Sequence, residues 1–419
     1  MNEQSSRTLD VLVGIPLCWL LTLCRRLRGW LPGGNRVDTR PPRKILFVKL
    51  AEMGAIVLTM PAFQAAAKRV GRENLLIVML AGNREVHDLL GIFLPRNVIT
   101  IRDHNLFVFA WDAWQFLRRC RRDGVDAVID LEGFARISAI LSFLTGARMR
   151  VGFDRQTSEG PYRGDLFTHR ITYNYYDHAS VQFLTMIEAL DADPRDLPLL
   201  KQRIELGDYR LPLFVPSEEE AREARSMVAG VFGGNVPPRP WIILNCNLID
   251  LLPLRRWPEE RFYELGRRIL AEHPTATLLL TGLPAERDLS RTLAARLSPE
   301  RARSLAGETK SLRSLVALFT QTDLMITSDC GPGHMAALTE MPVVSIFGPE
   351  TPQLYAPLSP HNHSLWAGLA CSPCLNAFNH RKSNCRRNVC MEQISVEQAY
   401  QTSLTACPAL RDSRATQSA

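Results

Sequence analysis

Short runs of consecutive apolar residues, each closed by glycine, proline or a polar cluster, recur along the chain and alternate with stretches whose apolar positions lie three or four apart. In the first half the runs are Ile45 to Leu50, Leu75 to Leu80 and Ala127 to Leu131, alternating with helical patterns such as Ala110 to Arg122 and Ala135 to Thr145. In the second half they are Trp241 to Leu244, Thr277 to Leu280, Leu324 to Thr327 and Val343 to Phe347. Runs apolar throughout suit strands covered on both faces, and strands alternating with helices predict a parallel sheet. Between the halves, a charged helix over Ser217 to Val231 leads into Pro237, Pro238 and Pro240, which marks the connection. Pro258 followed by Glu259 and Glu260 opens a helix. The pattern divides the chain into a segment and linker (1–43), an α/β domain (44–236), a second α/β domain (237–395) and a C-terminal helix and tail (396–419). Met391 to Ala406 reads as the last helix and Arg411 to Ala419 as a disordered tail.

Residues 11 to 24, VLVGIPLCWLLTLC, form an apolar run followed at once by Arg25, Arg26, Arg28 and Trp30. A spanning helix needs about 20 apolar residues, and this run is shorter. The basic cluster follows the apolar run, whereas a signal peptide carries its charges in front. The pattern predicts an apolar helix over residues 11–31 that serves as a monotopic or re-entrant membrane anchor, with packing on the protein itself or on another subunit as the alternative.

A length of 419 residues, 46% hydrophobic and 22% charged, is globular and long enough for two or three domains. The net charge of +7 is diffuse, with no basic block interleaved with aromatics, which argues against nucleic acid and for an anionic small molecule or membrane surface. Ten cysteines, dispersed except for one cluster and without an export signal before them, point to the reducing cytoplasm, and with the apolar segment the expected place is the inner face of the plasma membrane.

The densest candidate chemistry lies in 323–355, DLMITSDCGPGHMAALTEMPVVSIFGPETPQLY. It reads as strand, turn, short helix opening near His334, and strand. Asp329, Gly331, Pro332, Gly333 and His334 follow the first strand; Gly348, Glu350 and Thr351 follow the second. In parallel α/β sheets ligands collect at such strand ends. Taken alone, Gly331-Pro332-Gly333 also fits a plain tight turn. SDCGPGHMAAL followed by FGPETPQLYAP resembles the C-terminal signature of glycosyltransferase family nine, the ADP-heptose:lipopolysaccharide heptosyltransferases. KLAEMGAIVLTMPAF, MRVGFDR and LAGET resemble further motifs of that family, in order over about residues 44 to 400.

The resemblance implies a GT-B type α/β fold, two Rossmann-like domains facing an interdomain cleft, plus the N-terminal apolar helix. It implies an inverting transferase, without a metal or other cofactor in catalysis, that moves a sugar from a nucleotide diphosphate donor to a cell-envelope glycan or glycolipid. The donor would lie against Asn245, Gly307, Asp329, Gly331, Pro332, Gly333, His334, Gly348, Glu350 and Thr351, with Arg255 or Arg256 on the phosphates. A guanidinium can grip two phosphate oxygens at once. The family carries Gly-Asp in its first motif, the aspartate serving as base; here Gly54 is followed by Ala55. Glu52 is the nearest carboxylate and the expected catalytic base, the alternative being an acid that only interacts with the helix N-terminus. The missing aspartate leaves a second reading, an inactive binding or scaffold subunit. A homo-oligomer is compatible with either. Cys371, Cys374, Cys385 and Cys390 form the one cysteine cluster, readable as a structural zinc site, reduced thiols or two disulfides.

Overall fold

The computed structural model describes residues 8, 10–30, 40–50, 52–133, 135–154, 161–249, 253–377, 379 and 381–415. They form two compact units. One runs up to Arg210 and takes in Ala377–Arg381; the other is Leu211–Asn376 together with the chain from Lys382 onward.

The first unit opens with α1 (Gly14–Gly29) and continues β1 (Ile45–Val48), α2 (Met53–Leu58), α3 (Met60–Val70), β2 (Leu75–Leu80), α4 (Arg84–Leu90), β3 (Val98–Ile101), α5 (Leu106–Arg122), β4 (Ala127–Asp130), α6 (Arg136–Leu144), β5 (Met149–Phe153), β6 (His169–Ile171) and α7 (Ala179–Glu188). Its sheet has the order β3-β2-β1-β4-β5-β6, every pair parallel. β1 and β4 are buried along their length, as runs covered by helices on both faces must be. On one face α5 and α6 close a core of Leu46, Val48, Leu76, Val128, Phe116 and Leu141. On the other, Phe47, Phe63 and Phe93 meet edge to face, with His87 packed among them.

The second unit holds α8 (Glu218–Val231), β7 (Trp241–Asn245), α9 (Glu259–Glu272), β8 (Thr277–Leu280), α10 (Arg287–Leu297), β9 (Ala302–Ser304), α11 (Leu312–Phe319), β10 (Leu324–Ser328), α12 (Gly331–Ala336), β11 (Val343–Phe347), β12 (Asn362–Trp366), α13 (Val396–Ala406) and α14 (Pro408–Ala415). The sheet order is β12-β11-β10-β7-β8-β9, again wholly parallel, so each unit repeats one doubly wound plan.

The units divide at Arg210, earlier than the expected 236/237 boundary. Segment 211–236 joins the second unit because α8 packs on α11, Arg313 pairs with Glu220, and the Phe214 N–H donates to the Leu338 carbonyl. The expected last helix over Met391 to Ala406 is broken: one turn, Val389–Glu392, precedes α13, whose start is fixed by a capping box of Ser395 and Gln398. The expected tail from Arg411 is helical through Ala415.

α1 lies against α6, and its contacts are specific. Gly14, Cys18 and Thr22 form the buried face, and a Cβ on Gly14 would come within 2.9 Å of the Arg136 Cβ. The Asp10 carboxylate accepts from the backbone N–H groups of Arg136 (3.0 Å) and Ile137 (3.1 Å) and from the Arg136 guanidinium (2.9 Å), capping α6 from outside it. Thus the packed alternative describes one face of α1. Its opposite face is exposed, and among the described residues no helix is long and apolar enough to cross a membrane.

Candidate active site

In each sheet the chain reverses its winding between the first and fourth strands of the unit, and a crevice opens beyond their carboxyl ends. In the second unit those strands are β7 and β10. Asn245 ends β7 in the buried layer, its amide donating to Thr327 Oγ1 at 3.0 Å and to the Cys330 sulfur at 3.2 Å. Asp329 follows β10 and pairs with Arg255 at 3.5 Å, while the Trp257 N–H donates to Ser328 Oγ at 3.0 Å. That last bond draws the chain after Arg255 and Arg256 onto the end of β10. Arg255 therefore turns towards the crevice residue Asp329, whereas the Arg256 guanidinium donates to the Leu248 carbonyl.

The glycines divide by role. Gly348 ends β11 where a Cβ would meet the Met391 sulfur at 2.3 Å, and Gly307 has φ +74° with Pro284 Cα 2.8 Å from its missing Cβ; packing and backbone require glycine at both. Gly331 has open space around its missing Cβ, and Gly333 only an ordinary contact with Thr327. α12 begins at Gly331, three residues before the expected His334, with Pro332 in its first turn and His334 buried. Glu350 is buried beyond β11, and Thr351 caps the next helical turn by accepting from the Gln353 N–H at 3.2 Å. The structure thus brings Asn245, Arg255 and Asp329 to the β7/β10 crevice. Gly307 lies past β9, held by Arg287 on its carbonyl at 3.1 Å. Thr327 and Ser328, which fix the geometry of the crevice, are small polar side chains without a motif signal of their own.

In the first unit the corresponding strands are β1 and β4. Lys49, directly after β1, is fully buried and lies 3.2 Å from Glu132 and 3.6 Å from Glu52. Glu132 also accepts from the Leu50 N–H at 2.6 Å. Glu52 precedes α2 with φ +69° and makes no side-chain cap hydrogen bond to that helix's N-terminus. Instead Arg381 reaches its other oxygen at 2.6 Å. A side chain 39% exposed is thereby clamped between two cations. Ala55 sits half-buried in α2. Behind this group Asp130 and Arg163 form a fully buried pair, the guanidinium also serving the Ala135 and Phe153 carbonyls. Burial pushes the Asp130 carboxyl up, to about 6, against the opposing charge of Arg163. Lys49 opens the KLAEMGAIVLTMPAF motif, whereas the sequence assigned no role to Glu132 or Arg381. A lysine closing an otherwise apolar β-run was a usable signal for the first, and nothing local flags the last.

The four clustered cysteines line one cavity in the second unit together with Leu254, Pro349 and Val389. All are free thiols, so the paired-disulfide alternative is not realised. Burial raises the Cys390 thiol to about 11, the other three adding to the effect. Cys385 donates to the Arg387 carbonyl at 3.1 Å and Cys390 to Asn388 Oδ1 at 3.3 Å, so these thiols turn to their own neighbours. Among the described residues no group of three or more His, Cys, Asp or Glu side chains is arranged to hold a metal ion.

The sequence model described as Glycosyltransferase family 9 (heptosyltransferase) matches residues 113–383. Lipopolysaccharide heptosyltransferase 1 of Pseudomonas aeruginosa is 25% identical over 336 residues, 79% of this chain and 86% of the relative. Its Escherichia coli counterpart is 22% identical over 326 residues, 74% of this chain and 89% of the relative. Among solved structures, the E. coli ADP-heptose lps heptosyltransferase II superposes with a TM-score of 0.62 at 17% identity, covering 90% of this chain and 100% of the other. A family 9 glycosyl transferase from Veillonella parvula gives 0.64 at 18% identity, covering 88% and 97%. At these identities the structural likeness shows the fold, a GT-B type with two Rossmann-like units.

Proposed function

This chain belongs to glycosyltransferase family 9, and from that premise we propose that it transfers a heptose from an ADP-heptose donor to a lipopolysaccharide acceptor. The observation carrying the donor side is the convergence of Asn245, Arg255 and Asp329 at the β7/β10 crevice of a glycosyltransferase. In this reading the diphosphate exchanges for Asp329 as a partner of Arg255, and the open Gly331 turn admits the donor close to the backbone. Gly333, His334, Glu350 and Thr351 line the donor's surroundings. The reaction inverts: the acceptor oxygen forms its bond to the anomeric carbon as the bond to the diphosphate breaks, and ADP leaves with that electron pair. The acceptor proton passes to Glu52, which Lys49 and Arg381 hold in place. Arg255 meets the charge that develops on the leaving group.

Ala55 in the place of the family aspartate favours the second reading, a nucleotide-sugar-binding subunit without turnover. Incubating the full-length protein with ADP-heptose and a heptose-deficient lipopolysaccharide separates the two. A mass gain of one heptose on the acceptor with stoichiometric ADP supports the transferase; donor binding without either product supports the subunit.

The same reading places the protein on the cytoplasmic side of a membrane, held by α1, whose small residues face α6 while Ile15, Trp19, Leu23 and Leu27 face outward. A structural metal on Cys371, Cys374, Cys385 and Cys390 remains part of the proposal. Elemental analysis of protein purified without chelators tests it, and less than a tenth of an equivalent of zinc or iron would remove it.

A further inference from the structure

A second helix of the first unit also wears large apolar side chains on its outside. α5 sends Ala113, Phe116 and Cys120 into the core beneath the sheet, as an amphipathic helix should. Its opposite side presents Phe107, Trp111 and Trp114, which are 85%, 55% and 45% exposed. The spacing continues to Arg118 and Arg122, so five residues form one stripe of three aromatics followed by two guanidinium groups. Trp111 and Trp114 stack at 5.0 Å, and Arg118 lies over Trp114 at 4.7 Å. Isolated exposed apolar residues are ordinary on any surface; three aromatics contiguous on one stripe mark a contact surface. α5 and α1 are both packed on α6.

The occupant follows from the chemistry of the stripe. Indole and phenyl rings beside guanidinium groups match the boundary of an anionic bilayer, where rings sit at headgroup level and cations meet lipid phosphate. We infer that α5 is a second membrane-contacting helix: the first unit docks on an anionic lipid surface through Phe107, Trp111, Trp114, Arg118 and Arg122 as well as through α1. This inference rests on the reading of α1 as a membrane helix and adds to it a contact far along the chain from the N-terminal segment.

The test uses the full-length protein and co-sedimentation with vesicles of phosphatidylcholine containing phosphatidylglycerol, against phosphatidylcholine alone. One variant carries Phe107→Ser, Trp111→Ser and Trp114→Ser, a second Arg118→Glu and Arg122→Glu, and a third Trp19→Ser, Leu23→Ser and Leu27→Ser on α1. All the substituted positions are on the surface or part-exposed, and a thermal melt confirms each variant is folded. The expected result is a loss of partitioning of at least roughly tenfold in the aromatic variant, and in the charge variant a loss confined to anionic vesicles. Wild-type partitioning in both α5 variants, with loss in the α1 variant, would overturn the role of α5 and leave that of α1. No sedimentation of the wild type would overturn both. A wild type that is dimeric in sedimentation velocity, with a monomeric aromatic variant and no vesicle dependence, would assign the stripe to a contact between copies instead.

Discussion

Replacing Glu52 by Gln removes one charge from the Lys49, Glu132 and Arg381 group while nearly preserving shape. Lys49 is buried and cannot be left unpaired cheaply, but Glu132 stays 3.2 Å from it, so its charge remains met. Arg381 loses a partner at 2.6 Å, yet it is itself 22% exposed and the glutamate 39%, so solvent screens the pair and its loss costs about 0–1 kcal/mol. A unit of this size should shift its melting temperature by no more than about 4 °C. The chemical effect should be far larger. A positioned base contributes roughly 10²–10⁴ in rate, or about 2.7–5.5 kcal/mol at 1.36 kcal/mol per tenfold. The expected outcome is therefore a stable protein that binds ADP normally by calorimetry and turns over at least a hundredfold more slowly. Ala55→Asp in the same background should recover part of the rate. Turnover within threefold of wild type in a folded Glu52→Gln protein would refute the assignment and move the base elsewhere.

Two further predictions concern each unit by itself. Arg255→Ala should weaken ADP binding by roughly 10- to 100-fold, the loss of a charge-assisted hydrogen bond, while Arg256→Ala, whose group serves the Leu248 carbonyl, should act mainly through loosening of its loop; unchanged affinity in both by calorimetry removes the phosphate assignment. His87 packs against Phe63 and Phe93, neither ring nitrogen is hydrogen-bonded among the described residues, and burial lowers it to about 3 from an ordinary value of 6.5. The unfolded chain then binds a proton that the folded one refuses, so this contribution is intact above pH 6.5 and shrinks as pH falls towards 3, by about 2.7 kcal/mol at pH 4.5. Urea midpoints at pH 7 and 4.5 should fall less in His87→Leu than in wild type, and equal losses in the two proteins would show that another group carries the acid sensitivity.

The interior strands were legible because they are almost wholly apolar: Leu75–Leu80 and Thr277–Leu280 coincide with the expected runs. The outer strands β6, with His169 and Arg170, and β12, with Asn362 and His363, carry polar residues at the sheet edges, so no apolar run announces them. Asn245 and Asp329 were legible because each closes a recognisable strand. The clamp on Glu52 was not, since it depends on a left-handed backbone at Glu52 and on an arginine brought in from the far end of the sequence. For α1 the apolar run was visible, but the pattern of Gly14, Cys18 and Thr22 that seats it on α6 is a matter of side-chain size rather than polarity.

The first unit is not one continuous piece of chain. It is completed by Ala377–Arg381, inserted between stretches that belong to the second. Hybrid proteins made by joining this N-terminal half to the C-terminal half of a relative would therefore exchange more than the second unit, because the residue that grips Glu52 travels with the imported half. A chimera designed to keep the first unit intact has to graft residues 377–381 back, and a fragment ending at Arg210 is missing one of the partners of its own carboxylate.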